Sequence, residues 1–231
     1  MSLVHQKLIV DPSPFGHRAH ADFYSYRPGF SNEFPILIFV GGAINEETYH
    51  ARETTRPDNL AAHFEAGCEK NGVTSAGFLA IPCPYGDPAR TGTRLADMSK
   101  LIIKGFLKEL GVKPDQVRAL IGNSMGAYFL TGVSTQFTNA RTLVTIAGAG
   151  MLDAVRASSR DWSMVETYCF SNADDPLRDH SERFALWMVS QGMHVEHSTR
   201  AGTHAFADYE AHGAVSDAFA KGTKALVIRT A

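Results

Sequence analysis

Cysteine is scarce in this chain of 231 residues, with only Cys68, Cys83 and Cys169 present. Three cysteines cannot form a complete disulfide set, and their spacing matches no metal-binding pattern. Cys68 falls on a helix face and Cys169 in a strand pattern, where buried free thiols are common, so a reducing, cytoplasmic compartment is expected. Long apolar runs are missing as well. The longest, from Ile36 to Ile44, is interrupted by Gly41 and Gly42 and falls well short of the roughly 20 residues a membrane helix needs. The N-terminus carries Lys7 and Asp11 but no continuous apolar stretch, so no signal peptide is expected. No charge of one sign dominates either: 22 Lys and Arg against 24 Asp and Glu leave a net charge of −2. That balance gives neither nucleic acid nor an anionic membrane a claim as partner. Repeats, low-complexity tracts and linkers are absent. The length and 44% apolar content suit one domain spanning residues 1–231 with a sizeable core.

What is present alternates between two periodicities. Lys7 to Asp11 and Ala21 to Arg27 read as an opening hairpin of short strands. Phe34 to Val40 is an apolar run of strand length, as a strand covered on both faces requires. Pro57 suits a first helical position, Leu60, Phe64 and Cys68 recur every fourth residue, and Gly72 suits the helix end. Ser75 to Ile81 is the next strand. Leu95, Met98, Ile102 and Phe106 mark an amphipathic helix stopped by Gly111 and Pro114. Gln116 to Ile121, Arg141 to Ala147, Met164 to Phe170 and His194 to Thr199 complete the strands. Phe184, Trp187 and Met188 mark a helix ending at Gly192, and a last helix is expected from about Phe206. The tail from Lys224 to Thr230 fits a helix end or an edge strand. This alternation predicts an α/β fold with a mostly parallel central sheet and helices on both faces. Only about sixteen residues, Gly148 to Ser163, separate the sixth and seventh strands. That is too few for a large lid domain.

The chemistry concentrates at three loops. Gly122-Asn123-Ser124-Met125-Gly126 is a Gly-x-Ser-x-Gly sequence between the Gln116 strand and an apolar helix beginning Ala127-Tyr128-Phe129. A serine there sits on a sharp turn with its hydroxyl exposed and a helix N-terminus behind it, the arrangement of a nucleophile elbow. Glycine flanks it because a side chain would collide with the adjoining strand and helix. The Met164 strand then runs into the turn Ser171-Asn172-Ala173-Asp174-Asp175-Pro176, which offers a carboxylate at a strand's C-terminal end. The His194 strand runs into Gly202-Thr203-His204. The order is therefore Ser124, then Asp174 or Asp175, then His204.

In this order the three loops resemble those of the α/β-hydrolase superfamily, and the likeness covers nearly the whole chain. Ser171 stands where relatives usually carry a glycine, three residues before the acid. The family spacing from strand end to acid fits Asp174 better than Asp175. The resemblance implies a serine hydrolase, of carboxylesterase or thioesterase type, that forms an acyl-enzyme on Ser124, with His204 as general base and Asp174 orienting it. It also implies an oxyanion hole made by the backbone N–H groups of Met125 and of Ala43, which follows Gly41-Gly42. Gly42, Ile44, Tyr85, Met151, Leu177 and Phe206 occupy loops expected to line the acyl pocket. The expected partner is a small-molecule acyl substrate, with no nucleic acid, membrane, cofactor or metal; the oligomeric state stays open. His17 and His20 have the wrong neighbours for a known zinc site. His194 and His197 point to opposite faces of a strand, and His212 lies inside a helical stretch, so none of the three is a good rival to His204. Two other readings keep the fold: a non-catalytic small-molecule binding protein, and an acyltransferase.

Overall fold

The computed structural model describes residues 3–10, 19–26, 34–42, 57–82, 93–148, 150, 155–156 and 158–227. Eight strands form a single sheet: β1 (Val4–Val10), β2 (Ala19–Tyr26), β3 (Ile36–Val40), β4 (Ala76–Ile81), β5 (Val117–Asn123), β6 (Thr142–Ile146), β7 (Glu166–Asn172) and β8 (His194–Arg200). Their spatial order is β1-β2-β4-β3-β5-β6-β7-β8. The strand pairs β1–β2 and β2–β4 are antiparallel, while every pair from β4–β3 through β7–β8 is parallel. The central strands read as unbroken apolar runs because helices cover both of their faces. Ile36, Leu37, Ile38, Phe39 and Val40 of β3 are all buried. Edge strand β8 instead alternates, with His194, Glu196 and Thr199 exposed.

Six helices of at least six residues flank the sheet among the described residues: α1 (Pro57–Asn71), α2 (Thr93–Glu109), α3 (Met125–Ser134), α4 (Arg178–Ser190), α5 (Phe206–Ala211) and α6 (Ala214–Lys224). One core lies between the sheet and α2, α3 and α4, around Ile102, Phe106, Leu130, Val133, Phe184 and Met188. The second lies under α1, α5 and α6, around Leu60, Phe64, Tyr209, Val215 and Phe219. Leu60, Phe64 and Cys68 form the buried stripe of α1, as their fourfold spacing implies. Cys68 and Cys169 are free and buried, and burial pushes the Cys169 thiol up to about 11. Cys83 lies outside the described residues. Only residues 147–165 separate β6 from β7, too short a span for a large lid domain. No described helix is long and apolar enough to cross a membrane.

Two expectations need correction. The last helix is two, because Gly213 adopts a left-handed conformation (φ 76°) that ends α5 and opens α6. His212 is therefore a helix cap rather than an interior residue. β7 is also displaced along the chain: Trp162–Met164 forms a 3-10 turn, and the strand runs from Glu166 through Asn172. Its pairing with β8 extends to Asn172 opposite Arg200.

Phe78 of β4 sits at the centre of the second core, fully buried. It stacks on Phe64 at 5.0 Å and on Tyr24 at 5.7 Å, and it meets Phe219 edge-on at 5.3 Å. Phe78→Ala is expected to cost about 3–5 kcal/mol, because three packed rings cannot collapse into the space. Urea unfolding measures it, and a loss below about 1 kcal/mol would contradict this packing.

Candidate active site

Ser124 stands between β5 and α3 with no loop residue to either side. Its backbone is at φ 52°, ψ −120°, a region that residues other than glycine rarely occupy. Ser124 N–H donates to Ile146 O at the end of β6 (2.7 Å), which fixes the turn against the neighbouring strand. The two glycines of the pentapeptide are dictated by contact. A Cβ on Gly126 would lie 2.2 Å from Val40 O, and one on Gly122 would lie 2.4 Å from Ala127 Cα. Behind the serine, nearly all of α3 is buried, and Thr131 and Ser134 satisfy their hydroxyls on Ala127 O (2.8 Å) and Thr131 O (2.6 Å).

Ser124 Oγ lies 3.0 Å from His204 Nε2. The other ring nitrogen, His204 Nδ1, lies 2.9 Å from Asp175 Oδ1. The acid beside the histidine is therefore Asp175, not Asp174. The displacement of β7 explains the difference. Ala173 N–H still donates to Arg200 O (2.7 Å) and Asp174 N–H to Gly202 O (3.0 Å), so the chain continues alongside β8 with Asp174 exposed. Only then does it turn, with Asp175 N–H donating to Asn172 O (3.2 Å), and the Asp175 carboxylate points inward. The Asp175 side chain is 1% exposed and that of His204 is 37% exposed.

The buried carboxylate is met by further donors. Asp175 Oδ1 also accepts Leu177 N–H (2.7 Å), and Oδ2 accepts the Tyr209 hydroxyl (2.5 Å). Burial, and next the hydrogen bond to Asp175, raise the Tyr209 phenol above its ordinary value. The histidine loop is held from both sides. Asn172 Nδ2 donates to Thr203 O (2.9 Å), while Asp208 Oδ2 accepts Thr203 N–H (2.7 Å) and the Thr203 hydroxyl (2.6 Å). Those donors, hydroxyl first, hold the Asp208 carboxyl below the usual carboxylate range. On the opposite face of the sheet Ser171 fills its site by bonding His197 Nε2 (3.0 Å) and Thr199 Oγ1 (3.1 Å). Desolvation lowers the His197 pKa, with Glu182 acting in the opposite sense.

The remaining sequence-predicted residues divide between described and undescribed positions. Met125 opens α3, so its N–H has no carbonyl one turn back within the helix and points with the positive helix end toward Ser124. Gly42 lies beyond the end of β3, where a Cβ would stand 3.3 Å from Ser124 Cβ. Leu177 and Phe206 are half-buried beside Asp175 and His204 in the chain. Ala43, Ile44, Tyr85 and Met151 lie outside the described residues. Sequence reasoning missed Tyr209, Asn172 and Asp208. Asp208 carried a readable signal, a carboxylate in the first turn of a helix directly after the histidine loop. Tyr209 carried none, since an aromatic residue in a helix reads as packing. Among the described residues no cluster of His, Cys, Asp and Glu is arranged to hold a metal ion.

No protein-family model matches the chain, and no curated protein matches its sequence. Solved structures do match it. The feruloyl esterase module from Clostridium thermocellum, in a mutant form complexed with sinapinate, aligns with a TM-score of 0.71 at 12% identity, covering 100% of this chain and 91% of that one. A hyperthermophilic esterase from the archaeon Pyrobaculum calidifontis aligns with a TM-score of 0.65 at 16% identity, over 98% of this chain and 87% of that one. A thermostable carboxylesterase cloned from a metagenomic library aligns with a TM-score of 0.66 at 16% identity, over 97% and 90%. The chain has the α/β-hydrolase fold.

The contacts at Gly126 generate a direct test of the elbow. Gly126→Ala forces a methyl into the backbone of Val40 and Gly41, neither of which can rotate away. A fall in Tm of more than about 4 °C is expected, or no folded protein at all. A Tm within about 2 °C of the unsubstituted protein, under about 1 kcal/mol for a chain of this length, would contradict the close approach.

Proposed function

We propose that this protein is a serine hydrolase that cleaves a carboxylic ester or thioester of a small-molecule acyl substrate through an acyl-enzyme on Ser124. The observation that carries the reading is the continuous row from Ser124 Oγ through both nitrogens of His204 to a buried Asp175 carboxylate. Its structural neighbours, esterases from several sources, support it at the level of reaction class. A small-molecule binding protein has no use for all three groups in hydrogen-bonded sequence.

The geometry supports the following chemistry. Serine holds its proton at neutral pH, so it needs a base at hydrogen-bond distance. His204 Nε2 takes the Oγ proton as Oγ bonds to the acyl carbon, and the carbonyl electron pair moves onto oxygen. The Met125 N–H stabilises this oxyanion, and the family resemblance assigns a second donor to Ala43, which lies outside the described residues. Asp175 Oδ1 accepts the Nδ1 proton, keeps the imidazole in the tautomer that leaves Nε2 free to accept, and balances the imidazolium. Collapse of the intermediate expels the alcohol or thiol, which His204 protonates. Water then repeats the sequence on the acyl-enzyme and releases the acid. Leu177 and Phe206, near the acid and the base in the chain, are assigned to the border of the acyl site.

Two expectations test the assignment. Ser124→Ala should remove hydrolysis of activated esters while leaving Tm nearly unchanged, since the half-buried hydroxyl adds little to the core. Activity within tenfold of the unsubstituted protein would contradict Ser124 as nucleophile. Asp175→Asn should lower kcat by about four decades, because the amide favours the wrong histidine tautomer, as in the best-studied serine protease. Asp174→Asn should change kcat only a few-fold, its side chain being exposed. Steady-state kinetics on the two variants decides between them, and a reversed order would contradict the assignment of the acid.

A further inference from the structure

Tyr209 is fully buried in α5, five residues beyond His204. Its ring packs in the core under α1, α5 and α6, a task that phenylalanine would perform without burying a hydroxyl. The hydroxyl is placed with care. It accepts Asn172 N–H at the end of β7 (2.9 Å) and donates to Asp175 Oδ2 at 2.5 Å. Accepting one bond while donating the other polarises the phenol toward the carboxylate. Asp175 Oδ1 is meanwhile committed to His204 Nδ1 and Leu177 N–H.

An aspartate carboxyl turns broadly about its terminal torsion, so packing alone does not fix the plane in which its two equivalent oxygens lie. A fixed donor on Oδ2 does. We propose that Tyr209 is a positioning residue for the hydrolytic site: held by Asn172 N–H, its own O–H fixes the plane of the Asp175 carboxylate so that the other oxygen stays directed at His204 Nδ1. This rests on the serine-hydrolase reading above. The linkage also ties the end of β7, the acid and the first helix after the base into one unit. Tyr209 touches neither Ser124 nor His204 by hydrogen bond, and its effect on the reaction passes through Asp175.

The test is a double-mutant cycle of the unsubstituted protein, Tyr209→Phe, Asp175→Asn and the double variant, assayed on an activated ester. Tyr209→Phe should lower kcat roughly 10- to 100-fold, the worth of one hydrogen bond to a charged group, with KM within about twofold. In the Asp175→Asn background the same substitution should change kcat by less than about threefold, because the carboxylate it positions is gone. Equal losses in both backgrounds, or undiminished kcat in Tyr209→Phe, would overturn the proposal. Absence of turnover in the unsubstituted protein would overturn the hydrolase reading and this inference with it. Turnover combined with an additive cycle would overturn this inference alone. If Tyr209→Phe does not fold, proton NMR of the unsubstituted protein decides. The Tyr209 hydroxyl proton should be a slowly exchanging downfield resonance that moves upfield in Asp175→Asn. An unmoved resonance, or none, would overturn the proposal.

Discussion

The site depends on one constrained residue. β5 ends and α3 begins on either side of Ser124, and the backbone makes that reversal by taking a positive φ at a non-glycine position. Such a conformation costs about 1–3 kcal/mol and persists only where its surroundings leave no alternative. Here those surroundings are the carbonyls of Val40 and Gly41, which press on Gly126, and the bond from Ser124 N–H to Ile146 O. The pressing carbonyls belong to β3 and the residue after it, while the bond goes to β6. Both neighbours of β5 thus hold the serine, and the parallel order of the central sheet brings them there. The same geometry sets Ser124 at the positive end of α3.

The second constraint is a buried negative charge. A carboxylate withdrawn from water requires hydrogen bonds at both oxygens, and Asp175 has them from His204, Leu177 and Tyr209. Two of these donors come from the segment after β8 and one from the turn after β7. The strands cannot separate without stripping the charge of partners, so the electrostatics of the acid and the mechanics of the sheet edge are one feature. Outside this network the edge is held by exposed pairs such as Lys221 with Glu196 (2.7 Å), which add little stability by themselves.

Periodicity made the layered architecture readable, because the central strands are apolar throughout and the helices are apolar on one stripe. The Ser124 elbow was readable because steric necessity puts glycine at fixed offsets from the serine. The acid was misplaced by one residue for a definite reason. Strand ends are set by pairing, and β8 supplies pairing as far as Asn172, beyond the apolar stretch that marks β7. Two adjacent aspartates then differ only in which way the backbone turns. The break at Gly213 was hidden within an otherwise helical pattern. Tyr209 was invisible because its role depends on a hydroxyl meeting a carboxylate thirty-four positions away in the chain.

The central claim is that Ser124 is an activated nucleophile rather than a serine on a tight turn. Labelling with a fluorophosphonate, followed by peptide mapping of the adduct, tests it most directly, because such reagents phosphonylate only serines whose proton is removed during attack. The account predicts stoichiometric loss of fluoride and a single adduct on the peptide containing Ser124, with labelling greatly slowed in His204→Ala. An unlabelled protein that is otherwise folded, or an adduct on a different residue, would contradict it.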